Sequence, residues 1–306
     1  MVEMARSMGA SVVRMLPAFR GIGRASGAFN KAMLMLGAAP IVEAPMQDGT
    51  RMRVDLRTRT EFIAYYTGTY DADLLKIIFA LVDTNAVFLD VGANIGFYSV
   101  AVGNFIRRNG GSGRLYGFEP FEGNYERNLD NLRGNNLLEV CSLLKVGLSN
   151  EKRTERLTLR EDFKDGANTG NASIPTSATF DAGFKTVPIE LDRLDDLWPA
   201  IGGDRIIDFV KIDIEGHEDF FLEGAKATMA KHRPTMLMEV NKPYYTARYV
   251  ALDPRFLPLI PADYLIWRRT GGHWEQITSF DRCSTIDNVF LVPKEKTLRP
   301  AYRLFA

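Results

Sequence analysis

Residues Val87 to Ser99, VFLDVGANIGFYS, are the stretch whose reading decides the fold. It opens on an apolar run, Val87 to Leu89, suited to a strand buried on both faces. An acid follows at Asp90, then a small-residue turn holding Gly92, Ala93, Asn94 and Gly96, then a helical pattern. Strand, glycine turn and helix in that order make the first unit of a nucleotide-binding α/β domain. Glycines let the main chain pass close to a ligand, and the free N–H groups at the helix start supply donors.

Such a turn serves NAD, a phosphate or S-adenosylmethionine (SAM). A dinucleotide turn has a third glycine in G-x-G-x-x-G; here Gly92 and Gly96 frame the turn and Phe97 and Tyr98 follow at once. No Gly-Lys-Ser/Thr follows, which excludes a triphosphate loop. Asp90, just before the turn, repels a pyrophosphate but suits a sulfonium compound carrying an amine. A second acid, Glu119, ends the next apolar run, RLYGF, in the usual place for a carboxylate that accepts both ribose hydroxyls. The competing reading is an ordinary α/β turn with a capping Asp.

Length sets one large domain or two small ones for 306 residues, enough for a full core. Acids and bases balance at 38 each, so bulk electrostatic binding to nucleic acid or membrane is not expected. The two cysteines, Cys141 and Cys283, have no metal spacing, and the expected compartment is a reducing cytoplasm. No apolar run reaches the roughly 20 residues of a membrane helix.

Residues 1–45 read as a basic helical segment. Between Met4 and Val42 there is no acid, while Arg6, Arg14, Arg20, Arg24 and Lys31 are basic, and Met8, Val12, Met15, Leu16 and Phe19 recur at helical spacing. A surface-seeking basic helix in peripheral membrane contact, or a transit peptide, competes with a helical lid or a dimer contact. The remainder, 46–306, reads as the main domain. Ile41 to Leu56 forms a hairpin turning at Asp48-Gly49. The aromatic run Thr60 to Tyr70 leads into a helix over 71–82 capped by Asp71 or Asp73, and Tyr65, Tyr66 or Tyr70 is placed to wall the pocket. Helices over 98–108 and 121–133 alternate with strands ending at Glu119 and spanning Val140 to Val146. Residues 150–192 break the alternation. Thr154 to Leu159 and Thr186 to Leu191 read as strands around the polar loop Asp165 to Pro175, DGANTGNASIP, expected as a lid.

The second informative stretch is Ile206 to Ile214, IIDFVKIDI, a buried strand followed by Glu215-Gly216-His217-Glu218 and a helix over 219–231. Thr235 to Val240 is another buried strand, ending near Glu239. Tyr264 to Arg268 and Asn288 to Val292 flank a turn at Gly271-Gly272 and read as a closing antiparallel hairpin. In an open parallel sheet the carboxyl ends of the strands line the ligand crevice. Asp90, Glu119, Asp213 and Glu239 therefore converge on one edge. Crowded carboxylates repel and desolvate at a cost of several kcal/mol unless compensated. The candidate cations are the sulfonium and amine of SAM, Lys145, Lys211, His217, Lys242 or a metal. Methyl transfer to a hydroxyl needs an in-line nucleophile and a base. His217 is the first base candidate, with Asp213 and Glu215 next; its alternative is a helix-capping histidine. Glu218 reads as a first-turn acid favoured by the helix dipole.

Taken together, FLDVGANIGFYS, YGFEP, VGLSN, NTGNASIP, VKIDIEGHE, PTMLMEV and DNVFLVP resemble the FkbM-type family of SAM-dependent methyltransferases. The resemblance covers roughly Tyr70 to Pro293. It implies a Rossmann-like class I methyltransferase sheet in three α/β/α layers, mostly parallel with a C-terminal antiparallel strand. It also implies O-methylation of a hydroxyl on a sugar, glycan, glycolipid or polyketide-type metabolite. Asp90, Gly92, Asn94, Gly96 and Glu119 would hold SAM, and Asp213, Glu215 and His217 would lie at the acceptor. Mg²⁺ is compatible with the acidic edge but is not the expectation, so no metal ligands are assigned. Three rivals remain: an NAD-dependent oxidoreductase, which lacks its third glycine and a placeable Tyr/Lys pair; a nucleic-acid methyltransferase, which lacks its Asn/Asp-Pro-Pro-aromatic string; and a non-catalytic binding protein of the same fold. A homo-oligomer is compatible with the pattern.

Overall fold

The computed structural model describes residues 1–15, 22–164, 166–177 and 179–305. Leu16, Phe19 and Arg20 of the basic segment, and Asp165 of the polar loop, lie outside the described residues. Helices α1 (Val2–Met15) and α2 (Ile22–Met35) precede the hairpin β1 (Ile41–Pro45) and β2 (Arg51–Asp55), which turns at Asp48-Gly49 as expected. The aromatic run forms a helix of its own, α3 (Arg59–Thr67), against which α1 and α2 pack. Thr58 caps it by accepting from Glu61 N, and Gly68 ends it at φ 71°, the left-handed conformation glycine adopts freely. Helix α4 (Ala72–Leu81) follows Asp71, which sits at the N-cap without capping; its carboxylate accepts from Tyr98 Oη at 2.9 Å instead.

The alternation then runs β3 (Val87–Val91), α5 (Phe97–Arg108), β4 (Arg114–Phe118), α6 (Glu122–Gly134) and β5 (Cys141–Leu144). Strand β5 is shorter than expected because Gly147–Leu148 leaves the main sheet as β6. It joins β7 (Arg153–Leu159), β8 (Ala172–Ser173) and β9 (Lys185–Asp192) in a separate four-stranded sheet, with a short helix α7 (Glu161–Lys164) between β7 and β8. After α8 (Leu194–Ile201) comes β10 (Phe209–Ile212). The helix expected over 219–231 is two, α9 (Glu218–Gly224) and α10 (Lys226–His232). The break falls where the chain is pressed hardest: a Cβ on Gly224 would stand 1.8 Å from the Ser149 carbonyl oxygen.

Strand β11 (Thr235–Asn241) leads through α11 (Lys242–Ala247) and α12 (Leu252–Phe256) to β12 (Tyr264–Thr270), β13 (His273–Ile277) and β14 (Ile286–Pro293). The turn at Gly271-Gly272 joins β12 to β13, not to β14 as expected from the apolar runs. Strand β13 escapes period-2 reading because its sequence, HWEQI, is mostly polar. The main sheet has the order β13-β12-β14-β11-β10-β3-β4-β5. Pairings from β11 to β5 are parallel, and β14, β12 and β13 add antiparallel strands, three where the apolar runs gave a hairpin of two.

Side-chain alternation builds the layers. Phe88 and Phe209 stack at 5.2 Å on the face that packs Val100, Val102 and Ile106 of α5. Leu89, Val91, Val210 and Ile212 face the other way, onto Trp198, Phe221 and Met229. The β3–β10 register sets Asp90 beside Lys211 on the α5 face.

Candidate active site

Over the carboxyl ends of β3, β4, β10 and β11 lies a cavity of about 250 Å³. The glycine turn forms its floor. Gly92 has φ 76°, and a Cβ there would stand 1.9 Å from the Asp213 carbonyl oxygen, so only glycine lets β3 and β10 close up at this point. Asn94 is left-handed at φ 47°, and its N–H donates to Glu119 Oε2 at 2.9 Å. The Phe121 N–H donates to Glu119 Oε1, also at 2.9 Å. Burial pushes Glu119 up to about 7, against the pull of those two donors. From outside, α6 pins the turn: Asn128 Nδ2 donates to Asn94 O at 3.1 Å and Asn131 Nδ2 to Ile95 O at 2.8 Å.

Of the five residues expected to hold SAM, Gly92, Asn94 and Glu119 line the cavity; Asp90 and Gly96 do not. Asp90 is fully buried under α5, accepting from Ser99 Oγ at 2.7 Å, with Lys211 Nζ 3.5 Å away. Its place in the pleat turns it toward α5, away from the strand tips. It stands beside Lys211, off the cavity wall. Gly96 heads α5 at φ 96° and makes room for Asn128.

The opposite wall is acidic. Carboxylate oxygens of Asp213, Glu215 and Glu239 lie within 4.8 Å of one another. Burial first, then the charge of Asp213, raises the proton affinity of Glu215 and Glu239. Asn241 Nδ2 donates weakly to both, at 3.5 and 3.4 Å. Glu215 is held at φ 53°, a strained conformation for a side chain with a Cβ. Among the described residues, the cation in contact with this wall at Asp213 is Lys211. Its ammonium donates to Gly92 O at 2.8 Å and stands 3.5 Å from both Asp90 and Asp213. Burial alone would lower its pKa, but the attraction of Asp213 and Asp90 raises it, so it stays charged. Lys145 pairs with Glu122 at the surface, and Lys242 donates to Asp281 O; neither lines the cavity.

His217 does reach the cavity, but its Nε2 is 2.9 Å from Ser149 Oγ, and burial drives its pKa down from 6.5 to about 3. Burial that disfavours the protonated ring counts against His217 as the base. Glu218 is more than a dipole-favoured acid. It is buried and accepts from Ile214 N at 3.0 Å, Gly216 N at 3.3 Å and Tyr245 Oη, which locks the turn after β10.

The insertion covers the cavity. Residues 170–174 line it, and Asn124 and Gly170 exchange two hydrogen bonds of 3.0 Å. Thr169 Oγ1 donates to Glu61 Oε1 at 2.9 Å, while Arg160 donates to Ser173 Oγ at 2.7 Å and pairs with Asp181. Tyr70, stacked on Phe97 at 4.3 Å, lines the cavity; Tyr65 and Tyr66 belong to the core. The asparagines of α6 went unassigned in the sequence, although Asn124, Asn128, Asn131 and Asn135 recur at helical spacing. That stripe was the available signal.

The residues fit SAM: Glu119, an acceptor for ribose hydroxyls, lines the cavity, the turn is stripped of bulk, and the opposite wall carries carboxylates. An open parallel sheet closed by antiparallel strands, with its ligand cavity above a glycine turn, is the architecture of a class I SAM-dependent methyltransferase. A model of the FkbM methyltransferase domain matches residues 90–270, and the chain belongs to that family. Among solved structures it is similar to a methyltransferase FkbM from Methylobacillus flagellatus KT, with 17% identity, TM-score 0.41, and 76% of this chain and 54% of that one covered. The chain thus spans 54% of the length of that relative. It is also similar to the O-methyltransferase TomG of Streptomyces achromogenes, involved in tomaymycin synthesis and solved with SAM, at 13% identity and TM-score 0.41 over 72% and 79% of the two chains. An O-methyltransferase from Bacillus cereus in complex with SAH gives 12% identity and TM-score 0.41 over 95% and 100%. No curated protein matches the chain in sequence.

Proposed function

We propose that the chain transfers a methyl group from SAM to a hydroxyl of a sugar, glycan, glycolipid or polyketide-type metabolite. The observation that supports this is the Asp213–Glu215–Glu239 trio, whose oxygens crowd within 4.8 Å on the cavity wall. When bound, SAM supplies a methyl carbon activated by a positively charged sulfur. Gly92, Asn94 and Glu119 hold the cofactor side of the cavity, with Asp90 acting through Lys211 and Gly96 through the packing of α5. Asp213 and Glu215 take the acceptor side, joined by Glu239. A carboxylate whose proton affinity is raised accepts a hydroxyl proton, once ionised, more readily than an ordinary one. Glu215 and Glu239 have that property, and Asp213 orients them through its charge and its contact with Lys211. His217 holds the Ser149 hydroxyl and the end of the turn.

Three hard carboxylates would also suit Mg²⁺, but the Lys211 ammonium beside Asp213 already supplies a positive charge, so transfer is expected without a metal. The balanced charge and the covered cavity favour a small or glycan acceptor over nucleic acid, and a cytoplasmic setting suits two free, buried cysteines. Labelled-methyl transfer from SAM into glycan, glycolipid and polyketide panels, with and without chelator, tests the proposal. Label on oxygen that persists in chelator supports it; label found only in RNA, or none with SAM bound, overturns it.

A further inference from the structure

Helix α1 is amphipathic in the wrong sense for a surface helix. Met4, Met8, Val12 and Met15 share one side and are 64, 63, 53 and 77% exposed. The opposite side buries Arg6, which donates to Ala39 O at 2.6 Å, and turns Arg14 inward to donate to Tyr65 O. Cations point in and apolar side chains point out. The neighbouring α2 exposes Arg24, Lys31, Met35 and Leu36. Glu3, the sole acid of the two helices, is tied to Arg6 and to the Ala39 N–H. The exposed surface of the two helices is therefore apolar on α1 and carries positive charge on α2.

A second cavity lies beside the C-terminal turn of α1, against the inward-turned Arg14. It measures about 160 Å³ and is lined by Met46, Met52, Leu75, Phe79 and Val100, with Gln47 and Gly68 also on its wall. Arg14 abuts that wall: its Nε is 3.3 Å from where a Cβ on Gly68 would be, as is Gln47 Cγ. Tyr70 and Phe97, the stacked pair, line both this apolar cavity and the acidic one. A greasy berth and a polar reaction cavity thus share one wall.

We propose that the acceptor hydroxyl is carried on an anionic lipid surface, with α1 as the docking face and the second cavity as the berth for the acceptor's apolar chain. This rests on the hydroxyl-acceptor reading above and narrows it to lipid-anchored acceptors. Charge selects the occupant. A two-fold copy would set Arg24 and Lys31 against their own likes, whereas anionic headgroups neutralise them while the methionines enter the acyl boundary. Among the described residues no helix is long and apolar enough to cross a membrane, so the contact is peripheral.

The test uses the full chain in vesicle flotation, with phosphatidylcholine alone and with phosphatidylcholine–phosphatidylglycerol. Binding is expected to the anionic vesicles, about tenfold weaker to the neutral ones, and about tenfold weaker for Met4→Ser/Met8→Ser/Val12→Ser/Met15→Ser. The SAM affinity of that variant, read by calorimetry, should be unchanged. Octyl glucoside below its critical micelle concentration, a sugar on an alkyl chain, should bind the wild type and bind Leu75→Trp about tenfold less. The proposal is overturned if anionic vesicles do not bind, if the fourfold variant binds them equally, if Leu75→Trp leaves octyl glucoside binding intact, or if light scattering shows a dimer that the fourfold variant dissolves. Failure of the wild type to bind SAM would instead remove the methyltransferase reading, which none of the vesicle outcomes touches.

Discussion

Two acidic walls of one cavity behave differently. Glu119 stands at the tip of β4 with each carboxylate oxygen met by a backbone N–H, from Asn94 and from Phe121. Glu215 and Glu239, across the cavity, meet Asp213, one another and side-chain donors alone, the Asn241 amide and, for Glu215, the Tyr244 hydroxyl. Main-chain donors cannot swing away, so Glu119 is a fixed acceptor suited to holding a ligand. Carboxylates that restrain one another by repulsion respond to any charge or proton that enters between them, which suits chemistry. Burial raises all three; what differs is whether the partners are fixed.

The comparison can be broken at its acidic wall first. Glu215→Gln and Glu239→Gln should lower kcat by about 10²- to 10⁴-fold while SAM affinity stays within about threefold, the signature of a lost proton acceptor rather than a lost binding contact. Single-turnover methyl transfer beside calorimetry separates the two, and a loss of SAM binding equal to the loss of rate would merge the walls into one. The cation beneath both is next. Lys211→Met leaves Asp90 charged and buried with only Ser99 to meet it, and should cost about 3–5 kcal/mol by denaturant unfolding.

Glu119→Gln should weaken SAM by about 10- to 100-fold, since hydrogen bonds to a charged group contribute about 1.5–3 kcal/mol, with kcat at saturating SAM little changed. The same wall titrates. Folded Glu119 holds its proton up to about 7, against an ordinary 4.5, so in that window the folded chain binds a proton the unfolded chain has released. Glu61 and Glu218 shift in the same direction. Stability without ligand should therefore fall as pH rises from about 5 to about 8, while SAM affinity rises through about 7 as the accepting carboxylate forms. Calorimetric Tm series with and without SAM read both slopes, and parallel slopes would contradict a titrating ribose contact. Smallest is His217→Gln, which keeps a partner for Ser149 and should change kcat by less than about threefold; a loss of about 10²-fold would restore the histidine as the base.

Which parts were legible in the sequence follows from the range of the forces involved. The run VFLDVGANIGFYS carried its strand, its turn and its helix because apolar runs and glycines act over a few residues. VKIDIEGHE likewise located the acidic wall. Residues whose meaning depends on a partner far along the chain were harder. Asp90 and Lys211 sit 121 positions apart and meet only because β3 and β10 pair in that register. The asparagines of α6 look like a solvated face until they are found buried against the glycine turn. Strand β13, polar in sequence, becomes a strand because β12 offers it an edge.

By itself the sequence determined the open parallel sheet, the glycine turn with an acid at the end of the next strand, and the row of carboxylates at the strand tips, since strand order and strand polarity put them there. Only the tertiary structure decided which carboxylate is clamped by main-chain donors and which meet side chains alone, that Lys211 stands between Asp90 and Asp213, and that His217 is buried against Ser149. Proton affinity is set by desolvation and by neighbours within a few ångströms, and neighbours at that range are chosen by packing rather than by position along the chain.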